Sequence, residues 1–178
     1  KGISKNGNET QIKATQDGEL QVRAIVEPEF EHASANGRAY AWRSNDADID
    51  AGDTLLFVKN TSDKYLLLSH AVFTPSNVAC KYDIGIGSAT TTPAGNAIVA
   101  TNPNGVGTIT ESYLAYDDET AVADTTPTVS VATETVGTLV FDLQGFILGK
   151  NQYIQINQET ESTSGRVTIF GHFEEELI

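Results

Sequence analysis

The last third of the chain, "GTLVFDLQGFILGKNQYIQINQETESTSGRVTIFGHFEEE", alternates apolar and polar residues along short runs broken by Gly, Asn and Ser. Val167 and Ile169 alternate with Thr168 and Phe170, and Ile154 and Ile156 with Tyr153, Gln155 and Asn157. Period-two alternation sends successive side chains to opposite faces of an extended chain, so these runs are strands. Strands of this kind, repeated at regular spacing, belong to a β-sandwich or barrel.

Upstream segments extend the pattern. "RAYAWRS" sets Tyr40 and Trp42 on one face, and "DTLLFVKN" and "KYLLLSHAVFTPS" are two apolar strands whose "TSD" separator signals a hairpin. "VACKYDIGIGSA" is a strand loosened by Gly85 and Gly87, and "ESYLAYDD" is a brief one. Residues 90–110, rich in Gly, Pro, Thr and Asn, read as a surface excursion with a short strand around Ala97–Ala100. The Thr/Ala-rich "ETAVADTTPTVSVATET" reads as a link, and no segment carries a helical stripe. The tally is about eight or nine strands, spaced by roughly 8–12 residues.

At the N-terminus, "TQIKATQDGELQVRAIV" alternates on both sides of Asp17-Gly18, whose positive-φ tolerance makes a tight turn. This predicts a β-hairpin arm over residues 1–27 ahead of a β-sandwich domain over 28–178. A lone hairpin is marginal in water, so it must lie on its own domain or on a neighbouring subunit.

Composition narrows the function. A chain of 178 residues suits one domain with a real core. The formal net charge of −13 repels a phosphate backbone and argues against a nucleic-acid partner. No run approaches the ~20 apolar residues that span a bilayer, so no membrane partner is expected, and "KGISKNGNET" lacks a signal-peptide core. The single cysteine, Cys80, excludes an intrachain disulfide and a cysteine-built zinc site, and reads as a small buried hydrophobe.

Motifs that carry chemistry are thin. "SNDADIDAGDTLLFVKN" lines up Asp46, Asp48, Asp50 and Asp53, but a calcium loop starting at Asp46 would have Ala51 where the sharp turn needs Gly and Phe57 where it needs Glu. The same phrase with His70 resembles the strand entry of cupredoxins. Cys80 in mid-chain, the distant His172 and the absence of Met remove the copper ligand set. Ser69 and His70 are adjacent, which on a regular strand points them to opposite faces. The three histidines, His32, His70 and His172, each stand alone, and Asp117-Asp118-Glu119 and Glu174-Glu175-Glu176 read as solvated runs. The triplets at Asn8 and Asn60 match the glycosylation pattern and read as turns. No catalytic residue, metal ligand or cofactor is expected, and the chain is read as non-enzymatic. Aromatic residues such as Trp42 and Tyr113 are the candidates for stacking a carbohydrate ring.

The order of "DGELQVRAIVEPEFEHAS", "AYAWRSNDADIDAGDTLLFVKNTSDKYLLLSHAVF" and "ILGKNQYIQI…GRVTIFGHF" resembles jelly-roll virion proteins of tailed bacteriophages, of the head-decoration (cement) or fibre-associated kind. The resemblance implies an all-β, jelly-roll-like sandwich acting without turnover as a homotrimer on the outside of a virion, bound to the major capsid protein or other virion proteins. It implies that Ile12, Leu20, Val22 and Ile25 of the arm contact the capsid or an adjacent subunit. The alternative is a carbohydrate- or receptor-binding module of a phage fibre.

Overall fold

The computed structural model describes residues 2–3, 9–10, 29–45, 53–75, 79–88, 95–105, 111–117, 128–133, 137–159 and 165–174. The elements run β1 (Gly2–Ile3), β2 (Glu9–Thr10), α1 (Glu29–Ala35), β3 (Ala39–Arg43), β4 (Thr54–Asn60), β5 (Tyr65–Pro75) and β6 (Lys81–Gly87). They continue with β7 (Asn96–Ala97), β8 (Tyr113–Asp117), β9 (Val129–Ala132), β10 (Leu139–Asp142), β11 (Ile147–Leu148), β12 (Tyr153–Gln158) and β13 (Gly165–Glu174). β1 and β2 form a small antiparallel pair of their own. The hairpin expected across Asp17-Gly18, with Ile12, Leu20, Val22 and Ile25, lies outside the described residues.

Two antiparallel sheets pack face to face. One has the order β10-β5-β13-β3, with β11 also on β5; the other has the order β7-β8-β4-β12-β6-β9. Take β3, β4, β5, β6, β9, β10, β12 and β13 as a set of eight. The sixth, third, eighth and first lie side by side in one sheet, and the second, seventh, fourth and fifth in the other. This alternation between sheets, closed by two Greek keys, is the jelly roll. The all-β sandwich expected from the alternating runs is therefore the observed fold.

The core between the sheets is built from the inward halves of those runs. Tyr40 and Trp42 of β3 meet Phe173 of β13 and Tyr113 of β8, with ring centroids 5.4–5.8 Å apart. Leu55, Leu56, Ile84, Ile154, Ile156, Val167 and Ile169 are fully buried around them. Each such side chain contributes about 1.5–3 kcal/mol by leaving water, which makes this layer the main stabilising element.

The structure corrects several expectations. β4 and β5 are not a hairpin; they belong to different sheets, and the residues between them cross from one sheet to the other. Asn60 makes that arch. Its Nδ2 donates to the carbonyls of Lys64 (2.7 Å) and Leu148 (2.8 Å), and its Oδ1 accepts the Ser62 N–H (2.9 Å). With the whole residue buried, the triplet at Asn60 is a structural turn.

A short helix was not expected. α1 has only two turns, too few for a periodic stripe, and is set by its ends. Pro28 precedes it in sequence, and Gly37 at φ 72° closes it. The Gly37 N–H bonds the Ser34 carbonyl (3.1 Å) and the Arg38 N–H the Ala33 carbonyl (2.8 Å), the paired bonds of a Schellman cap. The segment read as a Thr/Ala-rich link contains β9, the edge strand beside β6. β12 departs from one-sided burial: Tyr153 and Gln155 are as buried as Ile154 and Ile156, and Tyr153 packs on Phe57 at 4.9 Å.

Candidate functional site

Several features that break the regular pattern lie on the outer face of the β10-β5-β13-β3 sheet. The register of β13 on β5 pairs Thr168 with Val72, Ile169 with Ala71 and Phe170 with His70, then jumps to Gly171 with Leu68. Ser69 is the extra residue of a β-bulge, and its carbonyl accepts the Leu143 N–H at 2.9 Å. Gly171 lies opposite because nothing larger fits. A Cβ there would sit 2.7 Å from the Leu67 carbonyl oxygen and 3.2 Å from a Leu66 methyl.

The bulge overturns the expectation that Ser69 and His70 point apart. Regular alternation is lost at this position, and Ser69 Oγ sits 3.0 Å from His70 Nδ1. The His70 ring stacks on Phe170 with centroids 4.4 Å apart and planes 14° from parallel. Phe30 of α1 closes over both, edge-on, at 6.0 Å from His70, 6.2 Å from Phe170 and 6.4 Å from His172. Two histidines isolated in sequence thus share one face, while His32 is exposed on the helix. Burial lowers the His70 pKa below its usual 6.5, opposed by the carboxylate of Asp142, its cross-strand neighbour. His172 Nε2 is 3.9 Å from Glu174 Oε1, which also accepts a bond from Arg38 Nη1 at 3.2 Å. Glu174 is therefore half-buried and paired, unlike a solvated run.

Beside this cluster is a cleft of about 300 Å³ between the bulge, helix α1 and the turn that joins β10 to β11. The turn is held by the Phe146 N–H on the Leu143 carbonyl (2.9 Å) and the Gln144 N–H on Asp142 Oδ1 (2.8 Å), with Gly145 at φ 96°. Phe30, Leu67, Phe146 and Ile147 give the cleft apolar walls; Ser69, Gln144 and His172 give it polar edges.

A hydrolytic serine needs a base whose far nitrogen is oriented by a third group. Here the Ser69 contact is to Nδ1, and Asp142 spends Oδ1 on the Gln144 amide. The arrangement is a local hydrogen bond beside a cleft that no Lys, Arg, Asp or Glu among the described residues lines. Among the described residues, no group of three or more His, Cys, Asp or Glu side chains is placed to hold a metal ion. No helix among them is long and apolar enough to cross a membrane.

The residues singled out in the sequence lie elsewhere. Trp42 is 0% exposed, packed between Tyr40 and Tyr113, and Tyr113 spends its hydroxyl on the Ala100 N–H at 2.8 Å. A stacking platform needs an open ring face. Trp42 has none, because period-two spacing beside Tyr40 puts it in the core. Ile12, Leu20, Val22 and Ile25, with Asp46, Asp48 and Asp50, lie outside the described residues. Asp117, read as part of a solvated run, is 1% exposed and accepts the Asn45 N–H on Oδ2 at 2.6 Å. Cys80 is buried, as expected for a small hydrophobe. Burial pushes the neighbouring Tyr82 phenol up, so it stays protonated.

The fold and this face define an acidic jelly-roll module with an aromatic and histidine cluster on one outer surface. Comparison with family models, with curated proteins and with solved structures returned no match.

Proposed function

We propose that the chain is a non-enzymatic virion structural protein of the capsid-decoration type. It binds the outside of a phage particle and stabilises it through contacts between subunits. The jelly roll supports this reading as an analogy of class, since the fold recurs in viral capsid and lectin domains and does not by itself dictate function.

The observation that carries the reading is the β10 edge. β10 pairs with β5 on one side only, and no strand among the described residues pairs its other side. Val140 on that strand is 62% exposed, and Ile147 on neighbouring β11 is 37% exposed. An open ladder with apolar side chains is a ready template for another chain, and soluble proteins normally blunt or cover such edges. A subunit contact here would cover the exposed apolar residues. The net charge of −13 supports the same role, because an acidic coat does not adhere to free or packaged DNA.

Electron microscopy of assembled particles tests the proposal. The chain is expected in regular copies on the outer shell, and its absence from purified particles overturns the reading.

A further inference from the structure

We propose that the cleft between the β5 bulge, helix α1 and the β10–β11 turn is a binding site for a small uncharged ring bearing hydroxyl groups, the chemistry of a single neutral pyranose. This site is separate from the β10 edge contact proposed above and does not depend on it.

Three properties define the ligand. The first is size: about 300 Å³ is the lower end of the range for small-molecule sites, enough for one ring and not for an extended chain. The second is charge. Among the described residues no Lys, Arg, Asp or Glu lines the cleft, and its titratable wall residue, His172, already faces the Glu174 carboxylate at 3.9 Å, so a charged ligand finds no dedicated counter-charge in these walls. An anion would also meet the repulsion of a chain with net charge −13.

The third is the division of the walls. Phe30 and Phe146 supply aromatic surface and Leu67 and Ile147 aliphatic surface, while Ser69, Gln144 and His172 place polar groups at the edges. A pyranose has the matching division, with C–H groups on its faces and hydroxyls around its rim. Ser69 Oγ is held at 3.0 Å by His70 Nδ1, so that edge is oriented before a ligand arrives, and the Gln144 amide held on Asp142 Oδ1 fixes the turn from which the Gln144 side chain extends. Preorganised polar groups in an apolar recess lower the ordering cost of binding.

The cleft exists because of two local irregularities. The bulge displaces Ser69 from the ladder, and Gly145 at φ 96° lies in the excursion between β10 and β11, which pair with the same edge of β5 before and after it.

The test is a titration of the full chain, followed by amide NMR shifts, with the methyl glycosides of glucose, galactose and mannose. Glucuronate serves as the charged control and cyclohexanol as the apolar one. At least one methyl glycoside is expected to bind saturably, with a dissociation constant on the order of 1–10 mM and shifts centred on residues 67–69 and 144–147. Gln144 is exposed, so Gln144→Ala keeps the fold and is expected to weaken that binding about tenfold. Ser69→Ala provides a second variant with the same expected direction. The proposal is overturned if no methyl glycoside saturates these shifts, if glucuronate or cyclohexanol binds as tightly, or if neither variant weakens binding.

Discussion

Ser69 Oγ and His70 Nδ1 are 3.0 Å apart although the two residues are consecutive on one strand. The bulge responsible also sets which side chains of β5 enter the core. Leu66 and Leu68 point inward on one side of it, and Ala71 and Phe73 on the other. Removing a paired residue from a strand exchanges its two faces beyond the deletion, whereas removing the extra residue of a bulge restores unbroken alternation. Deleting Ser69 leaves Leu66, Leu68, Ala71 and Phe73 on the core side and is expected to cost only about 1–2 kcal/mol, while deleting Val72 turns Phe73 outward and is expected to cost about 3 kcal/mol or more. Thermal unfolding followed by circular dichroism separates the two. Equal midpoints for the two deletions would contradict the assigned register.

Gly171 faces the bulge with no room for a Cβ, which would lie 2.7 Å from the Leu67 carbonyl oxygen. That atom is backbone and cannot swing aside. Gly171→Ala is expected to cost about 1–3 kcal/mol through forced displacement of β5 or β13. Urea denaturation measures the loss, and an unchanged midpoint would show that the strands are not this close.

Asn60 satisfies three backbone groups at the arch between the sheets. In Asn60→Ala these groups lose their partner, including the Leu148 carbonyl in a buried setting. A loss of about 2–4 kcal/mol in urea denaturation is expected. Asn60→Asp keeps the acceptor for Ser62 but not the two donated bonds, so it should rescue only a minor part.

His70 gives the fold a pH dependence of defined sign. Burial lowers its folded-state pKa beneath the usual 6.5, so the unfolded chain takes up the proton first as pH falls. The associated stability is fully present above that value and is lost as pH drops through it toward the folded-state pKa. The Asp142 carboxylate reduces the effect without reversing it. Denaturation midpoints of the parent chain and His70→Phe, measured between about pH 8 and pH 5, should diverge, with the parent falling more steeply. Parallel profiles would contradict this.

The fold was legible because its signal is local. Val167-Ile169 and Tyr40-Trp42 reveal their faces by period-two spacing alone, and the strands they predict form the observed sandwich. Sheet membership was not legible. "TSD" between two apolar runs looks like a hairpin, and only the bonds from Asn60 to Lys64 and Leu148 turn it into an arch, the latter across 88 positions. Helix α1 escaped because its evidence lies in its ends, Pro28 and Asn36-Gly37, and not in periodicity.

The outer-face cluster was hidden for a related reason. Phe30, His70, Phe170 and His172 come from three elements, and the bulge that gathers them depends on β5–β13 register, which no single segment encodes. Its only sequence trace is a glycine between two aromatic-flanked positions, Phe170-Gly171-His172. Trp42 is a stacking candidate by residue type alone, and the alternation that it shares with Tyr40 places it at the centre of the core.

Sedimentation equilibrium of the full chain tests most directly whether it acts through contacts between subunits. A self-associated species that persists on dilution into the micromolar range is expected, with Val140→Lys shifting it toward monomer. A single monomeric species at every concentration, for the parent chain as for the variant, would contradict it.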